Sequence, residues 1–236
     1  MASDFFEFKR FKVYHNLCAM KVGTDAVLLG AWCATDNIQR VLDIGTGSGI
    51  ISLMVAQRSQ ATIHSVEIDH QAYLQAKTNF EQSEWSDRMS VYHADFSEFS
   101  EIASSKYDLI VSNPPYFTNG VQAPCKKRST ARHADSLNYQ QLFKGVVQLL
   151  SNNGRFALIL PADAESEIET IASGCGLHQI RKCNVYPKTD GVVKRIMWEF
   201  SKTGAQCSEE HLVIELDRHV YSEDYKALTK EFYLKM

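Results

Sequence analysis

Two textures of apolar residues alternate along this chain of 236 residues. Short, nearly unbroken apolar runs, such as Val41, Leu42 and Ile44 or Leu109, Ile110 and Val111, have the pattern of strands buried on both faces. Between them apolar positions recur at helical spacing, as in Ile50, Ile51, Leu53, Met54 and Ala56. The spacing predicts strands near residues 40–44, 61–67, 89–94, 106–112, 154–160, 177–186 and 192–200. It predicts helices over 24–34, 49–59, 69–83, 138–151 and 163–174, with Thr24 placed to cap a helix beginning at Asp25. Such alternation specifies an α/β fold, a mostly parallel sheet of seven strands with helices on both faces. The last two strands are expected to be antiparallel, because only a short segment separates them and its Asp190-Gly191 is a turn signal.

The ends of the predicted strands carry the chemistry. Asn113-Pro114-Pro115-Tyr116 follows strand 106–112. Neither proline has an N–H to continue a sheet ladder, and the residue before a proline is held extended. The loop therefore presents a side-chain carbonyl, main-chain carbonyls and an aromatic ring. That set suits the exocyclic amine of a planar group, which needs two acceptors and a flat surface. Upstream, Gly45-Thr46-Gly47-Ser48-Gly49 joins strand 40–44 to a helix, bringing main-chain N–H groups and a helix N-terminus to a ligand. Ile50 stands where the dinucleotide fingerprint requires glycine or alanine, and no Gly-Lys-Ser/Thr follows, so neither NAD nor a Walker-type phosphate loop fits. Strand 61–67 ends in Glu67, a carboxylate suited to both hydroxyls of a ribose. Strand 89–94 is followed by Asp95-Phe96, an acceptor for an adenine amino group and a ring to cover the base. Either acid alone reads more readily as an ordinary helix N-cap; their order at successive strand ends points to a ligand.

Composition narrows the class. Hydrophobic residues make up 44% and charged residues 22% of the chain, an ordinary globule, and no apolar run approaches the roughly 20 residues of a membrane helix. The charged N-terminus lacks the apolar core of a signal peptide, and the six cysteines form no C-x-x-C pair, so a cytoplasmic protein with reduced thiols is expected. The eight histidines contain no i, i+4 pair, and no metal is expected. The reading is one domain: an N-terminal extension or lid over 1–37, a cofactor-binding and catalytic core over 38–200, and a C-terminal addition over 201–236. A monomer is expected.

The order of motifs resembles the class I S-adenosylmethionine-dependent methyltransferases, whose fold is Rossmann-like. The resemblance implies that Asp43 and Gly45, Thr46, Gly47, Ser48 and Gly49 line the methionine and ribose side of S-adenosylmethionine, that Glu67 holds the ribose hydroxyls, and that Asp95 and Phe96 hold the adenine. Asn113 would border the cofactor and, with Pro114, Pro115 and Tyr116, carry catalysis, as in the branch that methylates adenine N6, cytosine N4 or glutamine N5. Further motifs narrow the likeness: Phe11-Lys12-Val13-Tyr14-His15, the block from Met20 to Trp32 (MKVGTDAVLLGAW), Asn113-Pro114-Pro115-Tyr116-Phe117, Ala131-Arg132-His133, and the ending Tyr221, Tyr225, Leu228, Phe232, Tyr233, Leu234. In these the chain is similar to the bacterial tRNA (adenine-37 N6)-methyltransferase family, which acts on valine tRNA; His15 departs from the Gln that family favours. A formal net charge of −3 limits any nucleic-acid footprint to local clusters. The candidate phosphate contacts are Lys21, Lys126, Lys127, Arg128, Arg132, His133, Lys194 and Arg195, with further cations at Lys9, Arg10, Lys12, Arg181, Lys182 and Lys188. Ribosomal RNA, DNA and a protein glutamine remain alternative acceptors, and a non-catalytic cofactor-binding module is the competing class.

Overall fold

A computed structural model describes residues 3–115, 137–189 and 191–235. The apolar runs form one twisted sheet. Its parallel core comprises β3 (Arg40–Ile44), β4 (Thr62–Glu67), β5 (Met89–His93), β6 (Tyr107–Ser112) and β7 (Leu150–Pro161). Then β9 (Arg195–Ser201) runs antiparallel between β7 and β8 (His178–Lys188). These are the seven strands expected from the sequence, with the antiparallel member in place. Residues beyond 201 extend the same sheet: β10 (Ser208–Asp217) lies parallel to β8, and β11 (Val220–Tyr221) pairs with β10, giving the order β11-β10-β8-β9-β7-β6-β3-β4-β5. An antiparallel hairpin of β1 (Phe5–Glu7) and β2 (Lys12–Tyr14) stands apart from it.

Period-two alternation sends successive side chains to opposite faces. Val41, Leu109, Val111, Ala157, Ile159 and Met197 pack with helices α1 (Thr24–Trp32), α2 (Ile50–Arg58) and α3 (His70–Glu81). Leu42, Ile110, Phe156, Leu158, Trp198 and Phe200 pack on the other face with α4 (Phe96–Ile102), α5 (Tyr139–Leu149) and α6 (Glu165–Gly174). The hairpin residues Phe8, Phe11 and Val13, and Tyr225 of α7 (Glu223–Thr229), belong to the first face.

Two local expectations are corrected. Gly23, not Thr24, is the N-cap of α1, and no side chain caps it; the helix begins at Thr24. Gly154 does not open its strand but lies within β7, where a Cβ would stand 2.8 Å from the Tyr107 carbonyl oxygen. That close approach accompanies a shift of register between β6 and β7 at Tyr107 and Leu109.

Candidate active site

Parallel pairing gathers the strand ends that the sequence singles out. Ile44 lies opposite Val66 on one side and Ser112 on the other, and Glu67 lies opposite His93. At about 4.8 Å per strand, the glycine turn, Glu67, Asp95 and Asn113 occupy one edge roughly 14 Å wide. The Ser112 hydroxyl donates to the Ile44 carbonyl (2.9 Å), tying the end of β6 to the start of the glycine turn.

The turn needs its glycines for two different reasons. All three are left-handed, with φ of 69° at Gly45, 58° at Gly47 and 83° at Gly49. A Cβ on Gly45 or Gly47 would meet nothing within 4 Å, so the main chain there borders open space. A Cβ on Gly49 would meet Phe80 Cε1 of α3 at 2.4 Å, so that glycine serves close packing. Gly45 and Thr46 donate their N–H groups to the Val66 carbonyl (2.9 and 3.3 Å), closing the turn onto β4.

Two carboxylates flank this space. Asp43 is fully buried; its Oδ2 accepts from the hydroxyls of Thr46 (2.6 Å) and Ser52 (2.7 Å), and Ser52 bonds Ser65 (2.8 Å). Its Oδ1 has no partner among the described residues. Burial pushes the Asp43 carboxyl up to about 6; the Thr46 and Ser52 hydroxyls oppose the rise and nearby Glu67 adds to it. Glu67 Oε2 accepts from Gly47 N–H (2.8 Å) and Oε1 from Asp69 N–H (2.9 Å). Burial raises its pKa as well, against the main-chain N–H groups of Asp69, Gly47 and Ile68.

Asp95 is the N-cap of α4, its Oδ1 accepting from the N–H groups of Ser97 (2.7 Å) and Glu98 (3.3 Å). The Phe96 ring, expected to cover the base, is buried in the core, so close to Gly145 of α5 that a Cβ there would meet it at 2.5 Å. Asn113 is half-buried, Pro114 buried and Pro115 exposed. Tyr116 lies outside the described residues, as do Lys126, Lys127, Arg128, Arg132 and His133.

Most other cations are committed elsewhere. Arg195 Nε bonds Asp25 Oδ2 (2.9 Å) and its Nη1 donates to the Lys194 carbonyl (2.8 Å), so it joins β9 to the start of α1. Arg181 lies over the Trp32 ring (4.1 Å) and pairs with Glu210 (2.7 Å), while Lys182 pairs with Glu165. Lys9 donates to the Lys230 carbonyl (2.6 Å), Arg10 pairs with Glu84 (2.7 Å) and Lys12 with Glu7 (3.1 Å). Lys21 and Lys194 are exposed. Among the described residues no group of three or more His, Cys, Asp or Glu is placed to hold a metal, and no helix is long and apolar enough to cross a membrane.

Sequence reasoning missed Asn79 and Gln75 on α3. Both are buried, and both bond main chain that borders the site. Their signal was a polar pair at i, i+4 within the buried stripe Ala72, Ala76 and Phe80. Ile68, half-exposed between Glu67 and Asp69, was also passed over.

Methyltransferase small domains match residues 18–170. A tRNA1(Val) (adenine(37)-N6)-methyltransferase of Bacteroides fragilis is 48% identical over the full length of both chains. Proteins of that name from Flavobacterium psychrophilum and Trichodesmium erythraeum are 45% and 41% identical, covering 98% and 100% of this chain and all of their own. Among solved structures, a predicted O-methyltransferase from Agrobacterium tumefaciens superposes with a TM-score of 0.68 at 19% identity, over 88% of this chain and 96% of that one. A ribosomal protein L11 methylase from Lactobacillus delbrueckii gives 0.58 at 15% identity, over 81% and 84%. At such identities the likeness concerns the fold.

Proposed function

The chain belongs to the tRNA1(Val) (adenine(37)-N6)-methyltransferase family, and on that premise we propose that it methylates N6 of adenine 37, beside the anticodon, in valine tRNA. S-adenosylmethionine, when bound, supplies the activated methyl group on a sulfonium sulfur. The site fits it. Open space lies against Gly45 and Gly47, Asp43 keeps a buried carboxylate oxygen without a partner among the described residues, and Glu67 adjoins the turn with acceptor capacity beyond its main-chain donors. Glu67 would take the ribose hydroxyls, Asp95 Oδ2 the adenine amino group, and Ile68 the face of that ring.

One observation carries the assignment of the acceptor: Asn113 and Pro114 follow the last residue of β6, Ser112, which pairs with Ile44 at the start of the glycine turn, on the edge where Asp43 and Glu67 converge. The lone pair of adenine N6 is delocalised into its ring. Accepting the two N–H bonds at Asn113 Oδ1 and the Pro114 carbonyl favours a pyramidal, more nucleophilic nitrogen. No strong base is required at these residues, and orientation supplies much of the acceleration, up to ~7–11 kcal/mol in well-aligned reactions. Tyr116 would stack on the extruded base, worth roughly 1–3 kcal/mol. A base in the anticodon loop costs less to extrude than one in a duplex. Lys21 and Lys194, exposed on segments flanking this edge, would meet phosphates. The reaction is placed in the cytoplasm.

The test is transfer from labelled S-adenosylmethionine to an unmodified valine tRNA transcript, followed by mapping of the modified nucleotide. N6-methyladenosine at position 37 is expected. Label in another RNA or in a protein amide, with none in this tRNA, refutes the acceptor. Asn113→Ala should lose roughly 10²–10³-fold in kcat, the scale of one essential polar contact, while still binding cofactor.

A further inference from the structure

Glu67 is the last residue of β4 and lies opposite His93, the last residue of β5. The chain leaves β4 through the peptide joining Ile68 to Asp69, and that peptide is held on both sides. Its N–H donates to Glu67 Oε1 at 2.9 Å. Its carbonyl lies 3.1 Å from His93 Nε2. A carbonyl only accepts, so Nε2 carries the hydrogen, as it does in one neutral tautomer and in the imidazolium alike. The N–H and C=O of a planar trans peptide point in opposite directions, so fixing the carbonyl aims the N–H. From the neighbouring strand, His93 thus reaches the Glu67 carboxylate through a single peptide. The Glu67 carbonyl accepts from Ala94 N–H at 3.1 Å, which keeps the ends of β4 and β5 together beneath this turn.

Other rings place the imidazole in turn. His70, the first residue of α3, meets it edge-on with ring centroids 5.1 Å apart, and the Tyr73 ring lies 5.3 Å from it. His93 and His70 are exposed, so this cluster orients a side chain at the surface and adds nothing to the core. The other carboxylate oxygen of Glu67 accepts from Gly47 N–H at 2.8 Å, so the glycine turn and the 68–69 peptide grip the same group from two sides. We propose that His93 is a positioning residue: by holding the 68–69 peptide it sets the orientation in which Glu67 meets the ribose hydroxyls. The inference deepens the S-adenosylmethionine reading above and rests on it. Its physical content is preorganisation, since a carboxylate already aimed by two fixed donors loses little freedom when a ligand arrives.

Two variants separate the donor from the ring. His93→Phe keeps a ring against His70 and Tyr73 and removes the donor; His93→Gln keeps an N–H at similar reach and removes the ring. The ligands are S-adenosylhomocysteine, which methyl transfer leaves behind, and its 2′-deoxy analogue, with Kd measured by calorimetry. Wild type is expected to prefer the ribose form. His93→Phe should raise Kd for S-adenosylhomocysteine about fivefold and narrow that preference about threefold, the scale of one hydrogen bond, while His93→Gln stays within about twofold of wild type in both. In turnover the change should appear in KM for S-adenosylmethionine rather than in kcat. A merely structural role would lower the thermal midpoint and leave the ribose preference in place. An unchanged preference in His93→Phe, or an equal loss in His93→Gln, overturns the proposal. If His93→Phe does not fold, His93→Leu decides by the same criteria. A wild-type chain that binds both ligands equally well removes Glu67 from the ribose, and the proposal with it. One that binds neither, nor S-adenosylmethionine, overturns the cofactor reading itself.

Discussion

Asp43→Asn isolates the electrostatics of the buried carboxyl beneath the glycine turn. The side chain is fully buried and its pKa stands at about 6 against an ordinary 3.8, chiefly because burial disfavours the charge. A carboxyl raised in the folded state holds its proton more tightly there than in the unfolded chain. Its contribution is therefore fully present below about pH 4 and is lost as pH rises toward 6. At ~1.36 kcal/mol per pH unit, ionising Asp43 costs the fold ~3 kcal/mol by neutral pH, of which ~2 kcal/mol falls above pH 4.5. Asparagine keeps the shape and cannot ionise. Chemical denaturation of both proteins from pH 4.5 to 7.5 should show the variant gaining on wild type by ~2 kcal/mol, levelling off above pH 6 to 7. The difference between the proteins cancels other titrating groups, and any fixed cost of the amide only displaces the curve. A difference that is flat with pH would show that the burial of Asp43 has been misjudged, and with it the reason its second oxygen stands ready for a ligand.

The glycines of the turn should separate by readout. Gly49→Ala places a methyl against Phe80 at a left-handed residue and should cost several kcal/mol of stability, read by denaturation, from strain and overpacking together. Gly47→Ala carries only the backbone strain, ~1–2 kcal/mol, yet fills the open space, so its cofactor affinity should fall further than its stability; equal losses in both measurements would deny that a ligand lies there. Cys18, held protonated by burial and by Glu67 and Asp69, should react with iodoacetamide at pH 8 at least about tenfold more slowly than exposed Cys207, followed by peptide mass spectrometry; comparable rates would remove it from the carboxylates.

Local physics made much of this protein legible from its sequence. Apolar runs at Val41–Ile44 or Leu109–Val111 can be buried on both faces only as central strands, so the sheet and its helical cover followed. Glycines at 45, 47 and 49, and an asparagine before two prolines, state their backbone conformations directly, because sterics at single residues set them. The short helices Phe96–Ile102 and Glu223–Thr229 span too few residues for a periodic signal, and the apolar run Leu212-Val213-Ile214 of β10 is flanked by Glu209, Glu210, His211 and Glu215, so the strand was not read from the sequence. Through-space partners were beyond reach altogether. Arg181 and Arg195 counted as available cations until the fold brought Glu210 and Asp25 to them across 29 and 170 residues. Likewise the chain order did not show that the Phe96 ring, read as covering a base, is buried against Gly145 of α5, and nothing in it joins Asn79 to Tyr14 and Ser48. Periodicity and turn chemistry act between neighbours in sequence, whereas ion pairs, ring packing and the clamp on the glycine turn depend on contacts that exist only once the sheet has assembled.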